Sequence, residues 1–202
     1  KHEFFAIPEQ SLAEAMSGEV FFDGFGEFCK VRERLSYLPE DVRVKKLAGN
    51  LLLMAQSGQY NYPRCIKRGE TGAAQLAISE FVNAALKVVF LLNKKYIPYY
   101  KWVFKALDEL KILSSLHGEL EYLISSGNGK SENKQKEELI EKISSLDDKV
   151  ESPSLLFGSI VDTLLTDGQE AFDERFLVAV FPELKDSEIA VVKTIFSKGY
   201  QY

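Results

Sequence analysis

The stretch from Tyr60 to Trp102 constrains the fold most, because it contains the longest apolar helical pattern in the chain. Its small and apolar residues at helical spacing are Ala73, Ala77, Ala84, Val88 and Leu91. Residues at this spacing lie on one face of a helix, and an apolar face requires a partner to cover it. The pattern predicts a central helix over residues 70–95 that packs inside a helical bundle.

Glu80 falls in this apolar stripe, between Ala77 and Ala84. Burying a carboxylate among small residues costs free energy unless a cation or a hydrogen-bond donor pairs with it. In one interpretation, Glu80 is buried and paired with an arginine from the preceding helix. In the other, it faces a groove as a general base, or as a clamp on a hydroxyl or amine. Glu80 is therefore the candidate catalytic residue.

Further helices are predicted where proline and acidic residues open an apolar pattern, as at Pro39-Glu40-Asp41. They cover residues 9–16, 26–37, 39–60, 99–110, 113–124, 135–146, 155–165 and 186–197. Pro63 is expected to bend or end the third of these. We predict an all-α fold with an antiparallel bundle over residues 39–150. A helical and loop segment, residues 1–38, precedes it, and an appended helical segment, residues 151–202, follows.

The composition limits the partners of the chain. Its 46% of hydrophobic residues, in a length of 202, provide one core of ordinary size. The formal net charge of −5 implies no general attraction to nucleic acid or anionic lipid. No run approaches about 18 apolar residues without a charge, so no membrane span is predicted. Two cysteines without metal-ligand spacing fit reduced thiols, and we expect a cytoplasmic protein.

No self-sufficient active site is predicted in this chain, and no cofactor of its own. Neither of the two histidines, His2 and His117, has a Cys or Asp at ligand spacing. A zinc site or a Ser-His-Asp triad is therefore not expected. The segment Gly127–Lys130 is of a kind that wraps a phosphate, but such short glycine loops are more often plain turns.

Basic and aromatic residues flank the central helix on both sides. Arg64, Lys67 and Arg68 follow helical spacing and share one face if the helix continues past Pro63. Such groups bind phosphate or polyanionic substrates, or they are solvated helix ends. The aromatic residues beside them either belong to the edge of the core or form a stacking wall for a ring-shaped ligand. The candidate substrate-binding residues are Tyr60, Tyr62, Arg64, Arg68, Glu70, Lys94, Tyr99, Lys101 and Trp102.

Three motifs occur in order: SLAEAMSGEVFFD, RERLSYLPEDVRVKKLAGNLLLMAQSGQYNYPRCIKRGE and FLLNKKYIPYYKW. Together they resemble the C-terminal half of an uncharacterised bacterial family, domain of unknown function 4037, over roughly residues 1–130. In that family the domain is joined to a nucleotidyltransferase domain of the polymerase-β type. The helical part is similar to the C-terminal domain of kanamycin nucleotidyltransferase, and the tail after about residue 150 resembles the family less.

The resemblance implies a helical substrate-binding domain that works with an N-terminal nucleotidyltransferase domain in cis, which lies outside this chain. That domain would bind Mg²⁺ and the nucleoside triphosphate. The expected reaction is transfer of a nucleoside monophosphate to the hydroxyl of an acceptor, which this chain positions. By its place on the helix, Glu80 is the candidate base of that reaction.

Two other classes of function stay open. The first is a non-catalytic module that docks a partner protein or forms a homodimer through its helices. The second is a helical ribonuclease, whose chemistry requires an arginine four to six residues before a histidine. Residues 111–116, which precede His117, contain no arginine, so the sequence disfavours this class.

Overall fold

The computed structural model describes residues 3–144, which are helical and contain no β-strand. The helices are α1 Glu3–Ala6, α2 Glu9–Met16, α3 Glu27–Arg34, α4 Glu40–Met54, α5 Tyr62–Lys67, α6 Thr71–Leu92, α7 Val103–Asp108, α8 His117–Ser125 and α9 Lys130–Ser144. A π-helical segment, Ala55–Asn61, joins α4 to α5, and a 3₁₀ turn, Ser114–Leu116, precedes α8. The predicted all-α fold class is confirmed. The predicted appended segment, residues 151–202, lies outside the described residues.

Helix α6 forms the centre of the bundle, as its apolar pattern predicts. All residues from Val88 to Leu92 are buried, which is typical of a helix covered on every side. Helix α4 packs most extensively along α6, and α5 and α8 cover other parts of it. Helices α4 and α6 are antiparallel, since Arg43 near the start of α4 donates a hydrogen bond of 3.4 Å to the carbonyl of Leu91 near the end of α6.

Helix α6 is also the one helix among residues 3–144 that is long and apolar enough to cross a membrane. In its most apolar stretch, 67% of the residues are buried inside the protein. The core helix of a protein without a membrane span passes the same test of length and composition. The absence of a membrane span therefore stays a prediction.

The helix that follows Pro39 begins at Glu40, as predicted, and its backbone remains helical up to Lys67. Pro63 lies in the first turn of α5, where the missing N–H group of a proline is tolerated. The π-helical segment before it already departs from the α-helical hydrogen-bond pattern. The helical backbone therefore continues past Pro63. Arg64 lies on the same continuous helical stretch, Glu40 to Lys67, as α4.

The prediction of a helix from Tyr99 is wrong in its first turn, because α7 begins only at Val103. Tyr99 and Trp102 instead form a turn, in which the N–H of Trp102 donates a hydrogen bond of 2.9 Å to the carbonyl of Tyr99. Asn93 holds the chain after α7 close to the end of α6, since its Oδ1 accepts hydrogen bonds from the backbone N–H groups of residues 111–112. The side chain of Trp102 is 62% exposed.

The loop before α9 is shorter than the sequence predicted, and it wraps around a lysine of its own chain. Lys136 is fully buried, and its Nζ donates hydrogen bonds to the carbonyl of Ser126 at 3.0 Å and to Oδ1 of Asn128 at 3.2 Å. Burial lowers the pKa of Lys136, and the charge of Glu132 opposes this effect. The polar groups of the glycine loop thus bind Lys136 of the same chain, which fits the interpretation of a plain turn.

Two buried tyrosines connect distant parts of the bundle through their hydroxyl groups. Tyr62 donates a hydrogen bond of 2.9 Å to Oδ1 of Asn133, and Tyr96 donates one of 2.9 Å to the carbonyl of Leu35. Burial disfavours the charged phenolate and raises the pKa of each tyrosine to about 12. Because of these two raised pKa values, the fold should become less stable at alkaline pH.

We expect the free energy of unfolding to fall as the pH rises from about 10, the ordinary pKa of tyrosine, to about 12, the folded value for Tyr62 and Tyr96. In this window the unfolded chain loses phenolic protons that the folded chain still holds. The stability that the two protonated tyrosines contribute is complete below the pKa of the unfolded chain. It is lost as the pH rises through the pKa of the folded chain. Urea unfolding between pH 8 and 11.5 should show a flatter decline for Tyr62→Phe and Tyr96→Phe. The exposed Tyr60→Phe is the control, and equal slopes in all variants would contradict the prediction.

Candidate functional site

One aromatic and three basic residues form an exposed group that extends from the π-helical segment to the C-terminus of α5. The Arg64 guanidinium lies over the ring of Tyr60, 4.4 Å from its centroid, and both side chains are exposed. Lys67 lies in the last turn of α5 and Arg68 caps its C-terminus. Within residues 3–144, no carboxylate forms an ion pair with these three cations. We call Tyr60, Arg64, Lys67 and Arg68 the α5 basic group.

Tyr62 does not belong to this exposed group, although it was a predicted substrate-binding residue. Its side chain is fully buried, and its hydroxyl is bound to Asn133 of α9. Tyr60 and Tyr62 point in different directions because they occupy different sides of the same helical path. The structure thus corrects the prediction for Tyr62, whose position is that of a core residue with a satisfied hydroxyl.

The second predicted group follows the C-terminus of α6. The rings of Tyr99 and Tyr100 have centroids 4.4 Å apart, and Nζ of Lys101 lies 6.0 Å from the centroid of Tyr99. Trp102 is exposed beside them, and Lys94 is exposed with a left-handed backbone at φ 52°. Tyr100 is also exposed, whereas Tyr99 is half-buried.

The structure does not bring the two groups together. Helix α5 leads directly into the N-terminus of α6, whereas Tyr99 and Trp102 follow its C-terminus. A helix of 22 residues is about 33 Å long. One small ligand therefore does not contact both groups in this structure. Glu70, an exposed predicted residue, lies directly before α6 and so belongs to the side of the α5 basic group.

Glu80 is exposed, so the interpretation of a buried carboxylate paired with an arginine is wrong. No hydrogen bond or ion pair joins its carboxylate to another side chain in the described part of the chain. The exposed stripe of α6 consists of Ala73, Leu76, Glu80 and Asn83, which follow the spacing of one helix face. Ala77 and Ala84 lie on the buried side, although they precede and follow Glu80 at helical spacing. The role of Glu80 as a base stays a prediction.

A buried ion pair that the sequence did not reveal lies between α2 and α4. Oε1 of Glu9 is 3.0 Å from Nζ of Lys46, and their side chains are only 9% and 15% exposed. Oε2 of Glu9 is buried without a hydrogen-bond partner in the described residues. The rings of Tyr37 and Tyr96 pack at 5.4 Å, and burial, followed by the charge of Glu9, raises the pKa of both hydroxyls. This polar cluster attaches the N-terminal segment to the bundle.

Residues 4–103 match the family model described as "Domain of unknown function (DUF4037)". The match supports a DUF4037 domain over these residues. It covers α1 to α6, the buried Glu9–Lys46 pair, the α5 basic group and the turn up to Val103. No curated protein and no solved structure matches the chain. The predicted resemblance to DUF4037 is supported, and the similarity to nucleotidyltransferases stays a prediction.

Beyond the DUF4037 match, the structure pairs His117 with a carboxylate that the sequence did not connect to it. Nδ1 of His117 lies 2.6 Å from Oδ1 of Asp108, and its Nε2 lies 3.7 Å from Oε2 of Glu121. Nine residues separate Asp108 from His117, and this spacing gave no sign of the pair in the sequence. The imidazole also packs against Phe104, with ring centroids 5.2 Å apart. Among residues 3–144, no group of three or more His, Cys, Asp and Glu side chains is arranged to hold a metal ion.

Proposed function

We propose that the DUF4037 part of this chain is the acceptor-binding helical domain of a polymerase-β-type nucleotidyltransferase. In this proposal, a separate N-terminal domain of the same protein binds Mg²⁺ and the nucleoside triphosphate. The observation that supports it is the α5 basic group, in which an arginine stacked on a tyrosine stands beside two further exposed cations. The all-α fold and the match to DUF4037 agree with the resemblance from which the proposal starts.

The chemistry of the α5 basic group suits an anionic substrate that carries a ring. A guanidinium donates two parallel hydrogen bonds to phosphate or carboxylate, and such charged hydrogen bonds are among the strongest in proteins. The ring of Tyr60 limits the orientations of Arg64, so less side-chain entropy is lost on binding. Lys67 and Arg68 add positive charge without an acidic partner among residues 3–144. The group would thus hold the phosphates, or an anionic acceptor, at a fixed place.

Glu80 extends the same proposal to proton transfer. Its carboxylate is exposed on the solvent side of α6, and an acceptor bound against this face would reach it without any movement of the core. A general base must come within hydrogen-bond distance of the hydroxyl that it deprotonates. The second group, with Lys94, Tyr99, Lys101 and Trp102, lies after the other end of α6 and is not required for this arrangement.

The test uses the chain joined to its upstream domain, with pyrophosphate release from each of the four nucleoside triphosphates and Mg²⁺ as the readout. A panel of small hydroxyl compounds supplies the acceptor. We expect the double variant Arg64→Ala/Arg68→Ala to lower the rate by about 10- to 100-fold, because hydrogen bonds to charged groups contribute about 1.5–3 kcal/mol. The charge-matched control is Lys105→Ala/Lys134→Ala, whose two lysines are exposed on α7 and α9.

Three outcomes separate the functional classes. Transfer by this chain alone would show that the proposed division between two domains is wrong. A joined protein that neither binds nucleotide nor releases pyrophosphate would favour the non-catalytic interaction module. Equal losses in the arginine variant and its control would mean that total charge matters and that the α5 basic group is not a binding site.

A further inference from the structure

Five apolar side chains in one short segment lie in solvent. Phe21, Phe22 and Phe25 are 94%, 89% and 92% exposed, while Phe28 and Val31 on α3 are 54% and 48% exposed. Single exposed apolar residues are ordinary on protein surfaces, but a cluster of large ones indicates an interaction site. We call these five residues the phenylalanine surface.

The segment that carries the phenylalanine surface has a defined conformation. Oδ2 of Asp23 accepts a hydrogen bond of 2.8 Å from the N–H of Cys29, and the carbonyl of Asp23 accepts one of 3.1 Å from Gly26. The hydrogen bond from Cys29 is the main cause of the lowered pKa of Asp23. Gly26 takes a left-handed backbone with φ 68°, which ends the turn just before α3. The aromatic rings are thus carried by a folded turn.

The same segment is fastened to the rest of the chain by Arg32. Its Nη2 donates hydrogen bonds to the carbonyls of Ser17 at 3.2 Å and Gly18 at 3.1 Å, and these residues follow α2. Arg32 therefore holds α3 against the end of α2. A surface that is both fixed and apolar loses little conformational entropy when it binds a partner.

We propose that the phenylalanine surface is a dimer interface and that its occupant is a second copy of this chain. Four phenylalanine side chains at the observed exposures present about 650 Å² of apolar area, if each contributes roughly 200 Å². A stable interface of standard size buries about 800 Å² on each partner. The aromatic residues thus supply most of one side of such an interface, and flanking residues of α3 supply the rest.

The charges of α3 make it complementary to a second copy of itself. Glu27 opens the helix and forms an exposed pair of 3.0 Å with Lys30 of the same chain, whereas Arg34 ends the helix beside Glu33. A two-fold axis pairs the same surface of both copies. With that axis perpendicular to α3, the two α3 helices pack antiparallel and each Glu27 faces the partner's Arg34, whereas parallel packing would place Glu27 against Glu27. An anionic lipid surface fits less well, because Glu19 and Asp23 flank the phenylalanines and would repel it.

The first test is the mass of the full chain in solution between 1 and 100 μM, measured by analytical ultracentrifugation. We expect a dimer that dissociates on dilution, and Phe21→Ser/Phe25→Ser should weaken the dimer at least 100-fold. Leu76→Ser is the control, because Leu76 is equally an exposed apolar residue but lies on α6. Circular dichroism should show unchanged folding of both variants, because all three side chains are exposed in the single chain. A monomer at 100 μM, or a dimer that is indifferent to the phenylalanine change, would overturn the proposal.

A charge exchange tests the orientation of the two copies. Arg34→Glu and Glu27→Arg should each weaken their own homodimer, because like charges then face each other twice. An equimolar mixture of the two variants should restore the dimer, because every Arg then faces a Glu. Failure of the mixture to associate, while both single variants remain folded, would exclude antiparallel pairing of α3. If the protein joined to its upstream domain is a monomer and this chain alone is a dimer, that domain is the true occupant of the surface.

Discussion

Replacing Lys46 with methionine is expected to lower the free energy of unfolding by about 3–5 kcal/mol. The change leaves the carboxylate of Glu9 inside the protein without its cation, since Oε1 of Glu9 has Lys46 as its partner and Oε2 has none among residues 3–144. Water replaces the lost partner poorly at a side chain that is only 9% exposed. The loss of stability therefore comes from the unpaired carboxylate of Glu9 inside the protein rather than from the lost ion pair itself.

The double variant Glu9→Gln/Lys46→Met separates these two contributions. Removing both charges eliminates the stranded carboxylate, so this variant should recover most of the stability lost in Lys46→Met. Urea unfolding at neutral pH measures all three proteins, with the exposed Lys105→Met as the control. A cost below about 1 kcal/mol for Lys46→Met would be typical of a solvated surface pair and would contradict the buried position of Glu9.

The Glu9–Lys46 pair also shows which part of the fold local sequence does not predict. The helix Glu9–Met16 has the predicted bounds, because Pro8 and Gly18 mark its ends in the sequence. The position of this helix on the bundle depends on a partner 37 residues away, for which no local pattern exists. Tyr62 and Asn133 are a second example, since 71 residues separate them.

The predicted apolar stripe of α6 is wrong at Ala73 and Glu80, which are both exposed. Alanine fits on either face of a helix, because its side chain is too small to decide between core and solvent. The spacing from Ala77 to Ala84 therefore predicts one stripe that includes Glu80. The larger residues Phe81 and Ile78 fix the buried side, and they leave Glu80 in solvent. A stripe defined by the bulky residues alone gives the observed orientation.

The spacing along one helix predicts the relative positions of the basic residues, whereas their role in binding stays a prediction. Arg64, Lys67 and Arg68 share the end of α5, as their spacing indicates, and the stack of Arg64 on Tyr60 adds a contact of the same local kind. The interpretation of one aromatic wall failed because it joined residues from opposite ends of α6. The residues after Pro98 form a turn rather than the first turn of a helix, and the rings of Tyr100 and Trp102 are exposed there.

A pair of identical substitutions at two glycines is expected to change stability in opposite directions. Gly58 lies in the π-helical segment, and a Cβ atom there would overlap the ring of Phe81 and lie 2.9 Å from Cγ2 of Ile140. All three residues are buried where this segment meets α6 and α9. Because a packed core resists added volume, Gly58→Ala should lower the free energy of unfolding by about 1–3 kcal/mol.

Gly49 is the matched control, since it lies inside α4 and a Cβ atom there has no neighbour within 4 Å. Glycine in a helix interior costs about 0.5–1 kcal/mol relative to alanine, so Gly49→Ala should raise the stability by that amount. Urea unfolding of the two variants gives the comparison directly, because both add one methyl group. A lower free energy of unfolding in both variants would mean that added volume is harmful along the whole helical stretch from Glu40 to Lys67. A higher value in both would show that the π-helical segment does not approach Phe81 closely. The opposite signs follow only if the missing side chain of Gly58 allows three helices to meet at this point.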